Sequence, residues 1–352
     1  MKKTTKTSIF RFAYIGVTVL VIILIGVFNS DFNNLGQAVQ NINVYWILGA
    51  VACMVIYWMT DAWLLKYLTD IMGEEKRLPY FSALKIGIIG LYYGALTPSS
   101  LGTQPIQVIY MNRQQISVGR STCIVVIKFI AYSLTVIAYY FISHAMVGSD
   151  YLKNSPAIYW LSIFGLVLNI FAVSFFALSI AKESIVLSMG HGVISFLHKI
   201  RILKNTDKAT HDFDKTIADY TGTSKYIKEN KLRLLGSFFI SFINIGFLFA
   251  ITYFIYRAFG LNDYSFIGIM SLQALLYVAI HYFPLPGSAG AAEGGFFAIF
   301  SMLFTKDILF MAMLIWRIMT YYILLLIGSL VVVFDQFISM RRQKAQEQKM
   351  ID

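Results

Sequence analysis

Two stretches of this chain set polar and conformationally special residues in the middle of apolar ones. In LYYGALTPSSLGTQPIQVIYMNR, from Leu91 to Arg113, an apolar run stops at Pro98, passes Ser99, Ser100 and Gly102, and restarts at Thr103 or Gln104. In HYFPLPGSAGAAEGGF, from His281 to Phe296, Pro284 and Pro286 precede Gly287, Ser288, Gly290 and Glu293. A helix interrupted at membrane depth is tolerated where it is buried in protein or lines a cavity, because lipid cannot satisfy the freed backbone groups. The helix that restarts after the break turns its N-terminal N–H groups and positive dipole end inward, an arrangement suited to an anion. Gly102, Gly287 and Gly290 permit tight turns and the close approach of a headgroup. Ser99, Gln104 and Gln107 add neutral hydrogen-bonding groups that suit a phosphate or a sugar. One such break reads as a mere Pro/Gly kink; two in opposed orientation point to a site.

Ionisable residues inside apolar spans are functional candidates in their own right. Lys128 lies about two turns into its span, Arg317 lies near the middle of the last one, and Glu293 follows Gly290, where a carboxylate favours a restarting helix. Lys128 and Arg317 are candidates to hold a lipid phosphate, while Glu293 and Arg317 read equally well as an ion pair that lets both be buried. Arg113 reads as a charge anchoring the inner end of the first interrupted region or as a headgroup contact. Asp61 and Lys85 fall nearer the inner interface, where access to water and snorkelling account for them. His144 and His281 read as packing groups. No metal-ligand spacing is present and no cofactor is implied. The chain has no Walker loop for ATP, and Ser99 and Ser100 have no histidine partner nearby in sequence, so no catalytic residue is assigned.

The elements that must position these groups are membrane spans. The 352 residues are 58% hydrophobic and 13% charged, against roughly 45–50% and about 25% for soluble domains, so the fold expected is an all-α polytopic membrane protein. The net charge of +11 lies beside apolar spans, as the positive-inside rule requires, and excludes a nucleic-acid face as its explanation. Cys53 and Cys123 fall inside spans and read as packing residues. Six runs are long enough to cross: Phe12–Phe28, Tyr45–Leu68, Ser121–Val147, Ile158–Ala181, Leu234–Ala258 and Ile308–Phe334. The first resembles a signal sequence without a cleavage site and reads as an uncleaved span. Two interrupted regions, Leu78–Arg120 and Tyr264–Phe304, read as re-entrant hairpins. With both termini cytoplasmic, this topology puts 24 of the 29 Lys and Arg residues on the inner side. It predicts a single transmembrane domain with two opposed halves, 45–147 and 234–335, in an inverted-repeat-like arrangement. Between them, 182–233 reads as a cytoplasmic connector. Val186, Met189, Val193, Phe196, Leu197 and Ile200 suit a helix on an anionic leaflet, and NTDKATHDFDKTIADY suits a solvated link.

The residues Thr97-Pro98-Ser99-Ser100-Leu101-Gly102-Thr103-Gln104-Pro105 and Pro286-Gly287-Ser288-Ala289-Gly290-Ala291-Ala292-Glu293 resemble the two breaks of the flippase-like transmembrane domain of lysylphosphatidylglycerol synthases, a domain that also occurs alone. Thr103 stands where that family often has a second glycine. The resemblance implies a multi-pass protein of the cell membrane that moves phospholipids, such as aminoacylated phosphatidylglycerol, between leaflets. The expected partners are a phospholipid or lipid-linked substrate and a separate transferase, with an oligomer left open. The chain ends at Asp352 after a short basic tail, so the soluble aminoacyl-transferase domain of the fused relatives, and synthase activity with it, is not expected.

Overall fold

A computed structural model of the chain describes residues 42–351 apart from 73–76, 154–155, 183, 185, 189, 193–194, 196–205 and 230. The described residues are helical throughout, with one isolated β-bridge. The helices are α1 (Val44–Ile71), α2 (Tyr80–Ala95), α3 (Thr103–Arg113), α4 (Val118–Lys153), α5 (Pro156–Ala181), α6 (Thr206–Glu229), α7 (Lys231–Ala258), α8 (Phe266–Ile280), α9 (Ala291–Phe300), α10 (Lys306–Arg317) and α11 (Ile323–Ile351). A π-helical turn, Ile318–Tyr322, joins the last two.

Five helices among the described residues are long and apolar enough to cross a membrane: α1, Val118–Met146 of α4, α5, Leu232–Ala258 of α7, and Lys306–Arg341 through α10, the π turn and α11. They coincide with five of the six expected spans; Phe12–Phe28 lies outside the described residues. The exterior is built for lipid. In α5 the buried positions include Ser162, Gly165, Asn169 and Ser179, whereas Trp160, Phe164, Val167 and Phe171 face outward. A stripe of small and polar residues turned inward and aromatic residues turned outward is the membrane pattern, since lipid gives apolar faces no reason to hide.

The starts of these helices follow from short polar caps. Asn43 accepts the Tyr45 N–H at 3.0 Å to open α1, and Ser265 accepts the Gly268 N–H at 3.1 Å to open α8. Helices α1 and α7 pack closely together. There the Asn244 amide of α7 donates to the Tyr57 carbonyl at 2.6 Å and the Thr60 hydroxyl at 2.8 Å, polar bonds worth about 0.6 kcal/mol each on average between membrane helices.

The connector differs from the expected solvated link. Thr206–Glu229 is a helix whose Phe213, Ile217, Tyr220 and Ser224 recur at helical spacing, and Ile217 and Tyr220 are buried. The Tyr220 hydroxyl meets the Ser179 hydroxyl at 3.2 Å. The dense charge of this segment masks the apolar stripe that docks it on α4 and α5. Of the amphipathic run before it, Met189, Val193, Phe196, Leu197 and Ile200 lie outside the described residues.

Both interrupted regions are helix, break, helix. α2 stops at Ala95 and α3 begins at Thr103; α8 stops at Ile280 and α9 begins at Ala291. In each case the two short helices pack on one another. The breaks meet: Pro98 and Pro286 form the isolated antiparallel bridge, and the Ser99 hydroxyl donates to the Tyr282 carbonyl at 3.2 Å.

Candidate functional site

The two breaks share a backbone design. After each proline come two residues in the left-handed region, Ser99 (φ 49°) and Ser100 (φ 56°) in the first, Gly287 (φ 59°) and Ser288 (φ 51°) in the second. The turn hydrogen bonds fall at equivalent places, Ser100 N–H to Thr97 O and Leu101 N–H to Pro98 O against Ser288 N–H to Leu285 O and Ala289 N–H to Pro286 O. Three of these four left-handed positions carry serine rather than glycine, a strain of about 1–2 kcal/mol per residue that the surrounding contacts must offset.

Side chains close the open helix ends differently in the two breaks. In the first, the Thr97 hydroxyl donates back to the Tyr93 carbonyl at 2.9 Å and accepts the Gly102 N–H at 2.8 Å. One residue thus serves the end of α2 and the start of α3. In the second, Ser288 donates to the Ile280 carbonyl at 2.8 Å, and Glu293 Oε2 accepts the Gly290 N–H at 2.6 Å. The positive end of α9 is therefore already occupied by its own carboxylate, whereas the first turn of α3 contains no acid.

Between the breaks lies a cavity of about 390 Å³ whose wall includes residues of both. Of the residues singled out from sequence, Ser99, Gln104, Gln107, Lys128, Gly287 and Arg317 line it. Pro98, Gly102, Gly290 and Glu293 shape the breaks and the helix starts around it. Arg113 is not part of the wall: its guanidinium lies 3.5 Å from Asp335, which also holds Lys85 at 2.7 Å. Lys85, read from sequence as snorkelling, is thus half of a link between α2 and α11.

Both membrane-depth cations are paired. Lys128 Nζ lies 2.8 Å from both oxygens of Asp61, and Arg317 Nε donates to Glu293 Oε1 at 2.7 Å. All four groups are buried, with relative exposures of 8% and 5% for the first pair and 5% and 1% for the second. Arg317 also donates from Nη1 to the Gly287 carbonyl at 3.1 Å. Of the two readings of Glu293 and Arg317, the ion pair is the one present. Asp61 is corrected: it is ten residues from the end of α1 at Ile71, as Lys128 is ten from the start of α4 at Val118. That places the pair roughly 15 Å along each helix, about half the hydrocarbon thickness, rather than at the interface.

Several parts of the site escaped the sequence. Gly87 and Gly90 of α2 leave the space that Asp61 and Gln107 fill: a Cβ on Gly87 would lie 2.9 Å from Asp61 Oδ2, and one on Gly90 2.7 Å from Gln107 Cγ. The π turn follows Arg317 directly and breaks what sequence suggested was a continuous span. Such turns often mark functional positions. Here residues four positions apart clasp both breaks, Arg317 reaching Gly287 and the Tyr321 hydroxyl reaching the Ala95 carbonyl at 3.3 Å. His281 stacks on Tyr277 with ring centroids 4.7 Å apart, and the Tyr277 hydroxyl is hydrogen-bonded to that of Tyr132; all three line the cavity.

An all-helical bundle with five membrane-length helices among the described residues, and a largely apolar cavity to whose wall both interrupted helix pairs contribute, defines a multi-pass membrane protein. Residues 12–328 match the family described as the lysylphosphatidylglycerol synthase TM region, and the chain belongs to that family. A UPF0104 membrane protein of Archaeoglobus fulgidus is 24% identical to it over 292 residues, which cover 81% of this chain and 85% of that protein.

Proposed function

We propose that this protein moves a polar-headed lipid between the leaflets of the cell membrane, the headgroup passing through the cavity between the two breaks while the acyl chains stay in the bilayer. The observation that carries the reading is that the wall of one cavity draws on both breaks and on the membrane-depth residues Asp61, Lys128 and Arg317, inside a helical bundle whose outer surface is apolar. Its volume of about 390 Å³ falls in the usual ligand-site range of roughly 300–1,000 Å³. The accompanying topology has six crossings, both termini cytoplasmic, and two re-entrant hairpins, 78–120 and 264–304, that enter from opposite faces and make the halves 45–147 and 234–335 inverted counterparts. Ser99, Gln104, Gln107, Lys128, Gly287 and Arg317 contact the headgroup; Pro98, Gly102, Gly290 and Glu293 hold the breaks open around it. Fluorescent lipid in proteoliposomes tests this: wild-type protein exposes inner-leaflet label to an external quencher, and Gly90→Val, which drives Gln107 into the cavity, slows that exposure. No exposure above protein-free vesicles would overturn it.

A second reading draws on the family description, which names a synthase membrane region. In it the protein presents lipid to a separate transferase. Faster lipid modification by such an enzyme, without leaflet exchange, would favour this version.

A further inference from the structure

Away from the cavity, one carboxylate is set against two cations. Asp335 of α11 is buried and holds Lys85 of α2 at 2.7 Å through Oδ1 and Arg113 of α3 at 3.5 Å through Oδ2. The pairs inside the bundle balance one to one, Lys128 with Asp61 and Arg317 with Glu293, but this cluster keeps one positive charge in excess. The excess lies at the surface, on Arg113. Its side chain is 55% exposed against 9% for that of Asp335. Of the five N–H donors a guanidinium carries, only Nη1 is engaged among the described residues, at the long limit of a hydrogen bond. The guanidinium lies 4.4 Å from the centre of the Tyr110 ring, a stacking contact that holds its plane and leaves the fork of donors preset. Depth follows from helix length. Because α3 is 11 residues long, Arg113 at its last position stands roughly 16 Å from the first break, about half the hydrocarbon thickness. That break shares its cavity with the mid-membrane Asp61 and Lys128, so Arg113 stands at the level of lipid phosphates. Ile109, one turn nearer the break on α3, is exposed, as are Leu330 and Phe334 on the approach to Asp335, so acyl chains lie against both helices beside the cluster.

We propose that Arg113, with Lys85 behind it, binds the phosphate of an anionic lipid at this membrane face, in a site separate from the cavity and independent of whether lipid passes through it. A phosphodiester of one net negative charge brings the cluster to neutrality and accepts bidentately from the free side of the guanidinium. A zwitterionic headgroup brings its own ammonium to a cluster that already has a cation to spare, and so is the poorer ligand. The bound lipid completes the charge balance where the ends of α2, α3 and α11 meet.

The test is native mass spectrometry of the full-length protein released from nanodiscs of equimolar phosphatidylglycerol and phosphatidylcholine with identical acyl chains. Phosphatidylglycerol should be retained over phosphatidylcholine. Arg113→Gln, a change at an exposed side chain that the fold tolerates, should weaken phosphatidylglycerol retention roughly tenfold and leave phosphatidylcholine unchanged. Asp335→Asn, which releases both cations, should strengthen it. Lys66→Gln removes one basic charge from an exposed pair with Asp70 elsewhere on the surface and should change neither lipid. Equal retention of the two lipids by wild-type protein, or an unaltered preference in Arg113→Gln, would overturn the proposal. So would a loss in Lys66→Gln as large as that in Arg113→Gln, which would reduce the effect to general surface charge, or weaker phosphatidylglycerol retention in folded Asp335→Asn. Displacement of the lipid by inorganic phosphate at equal concentration would overturn it too, by making the ligand a soluble anion.

Discussion

Arg317 holds together more of the site than any other side chain. It neutralises Glu293, ties Gly287 to α10, and lies over the rings of Trp316 and Tyr321 at 5.4 and 5.5 Å. Arg317→Ala leaves Glu293, 1% exposed, as an uncompensated buried charge, and should lower stability by about 3–5 kcal/mol. Replacing both, Arg317→Met with Glu293→Gln, should cost less than Arg317→Ala alone. Unfolding in detergent, followed as a double-mutant cycle, measures this coupling. The Lys128 and Asp61 pair should show coupling of the same sign. These pairs also show where sequence reading stops. Lys128, Glu293 and Arg317 stood out because charge in an apolar run is rare, but Asp61 sits 67 positions from Lys128, and nothing in one sequence couples them. Asp335 was missed for the same reason, lying 250 positions from the Lys85 it holds.

At the scale of elements, the breaks were legible and the devices that stabilise them were not. Pro98, Gly102, Pro286 and Gly290 announce interruptions because proline and glycine act locally, and α3 begins at Thr103 as expected. Thr97 gave only a faint signal, a hydroxyl before a proline, yet it closes both helix ends in the first break. The π turn gave none, since the apolar run from Ile308 to Phe334 is uninterrupted. If the π turn aims Arg317 and Tyr321 at the two breaks, deleting Thr320 should restore α-helical register beyond it. The deletion variant should keep its helical content by circular dichroism, lose the Tyr321 to Ala95 contact, and show little lipid movement. Ser99→Gly should stabilise the fold by up to about 1 kcal/mol by relieving left-handed strain, less whatever its bond to the Tyr282 carbonyl contributes; thermal unfolding gives the balance.

For the whole molecule, the apolar spans were the most legible feature, because each must be about 20 residues of apolar chain to cross. The connector helix was the least, because charge hid its apolar stripe. The proposed topology puts the α6–α7 junction and the loop before α10 on opposite faces. In intact cells, a membrane-impermeant maleimide should label a cysteine placed at Lys306 and not one placed at Asn230; labelling of both or of neither would refute the orientation. The central claim is that lipid passes where the two breaks meet. Bridged residues of an antiparallel pair sit about 4.5–5.5 Å apart at Cα, within disulfide reach, so Pro98→Cys with Pro286→Cys, in a chain with Cys53 and Cys123 replaced by alanine, can lock them together. In proteoliposomes the reduced protein should move labelled lipid, the oxidised protein should not, and added reductant should restore movement; undiminished movement in the cross-linked protein would contradict the account.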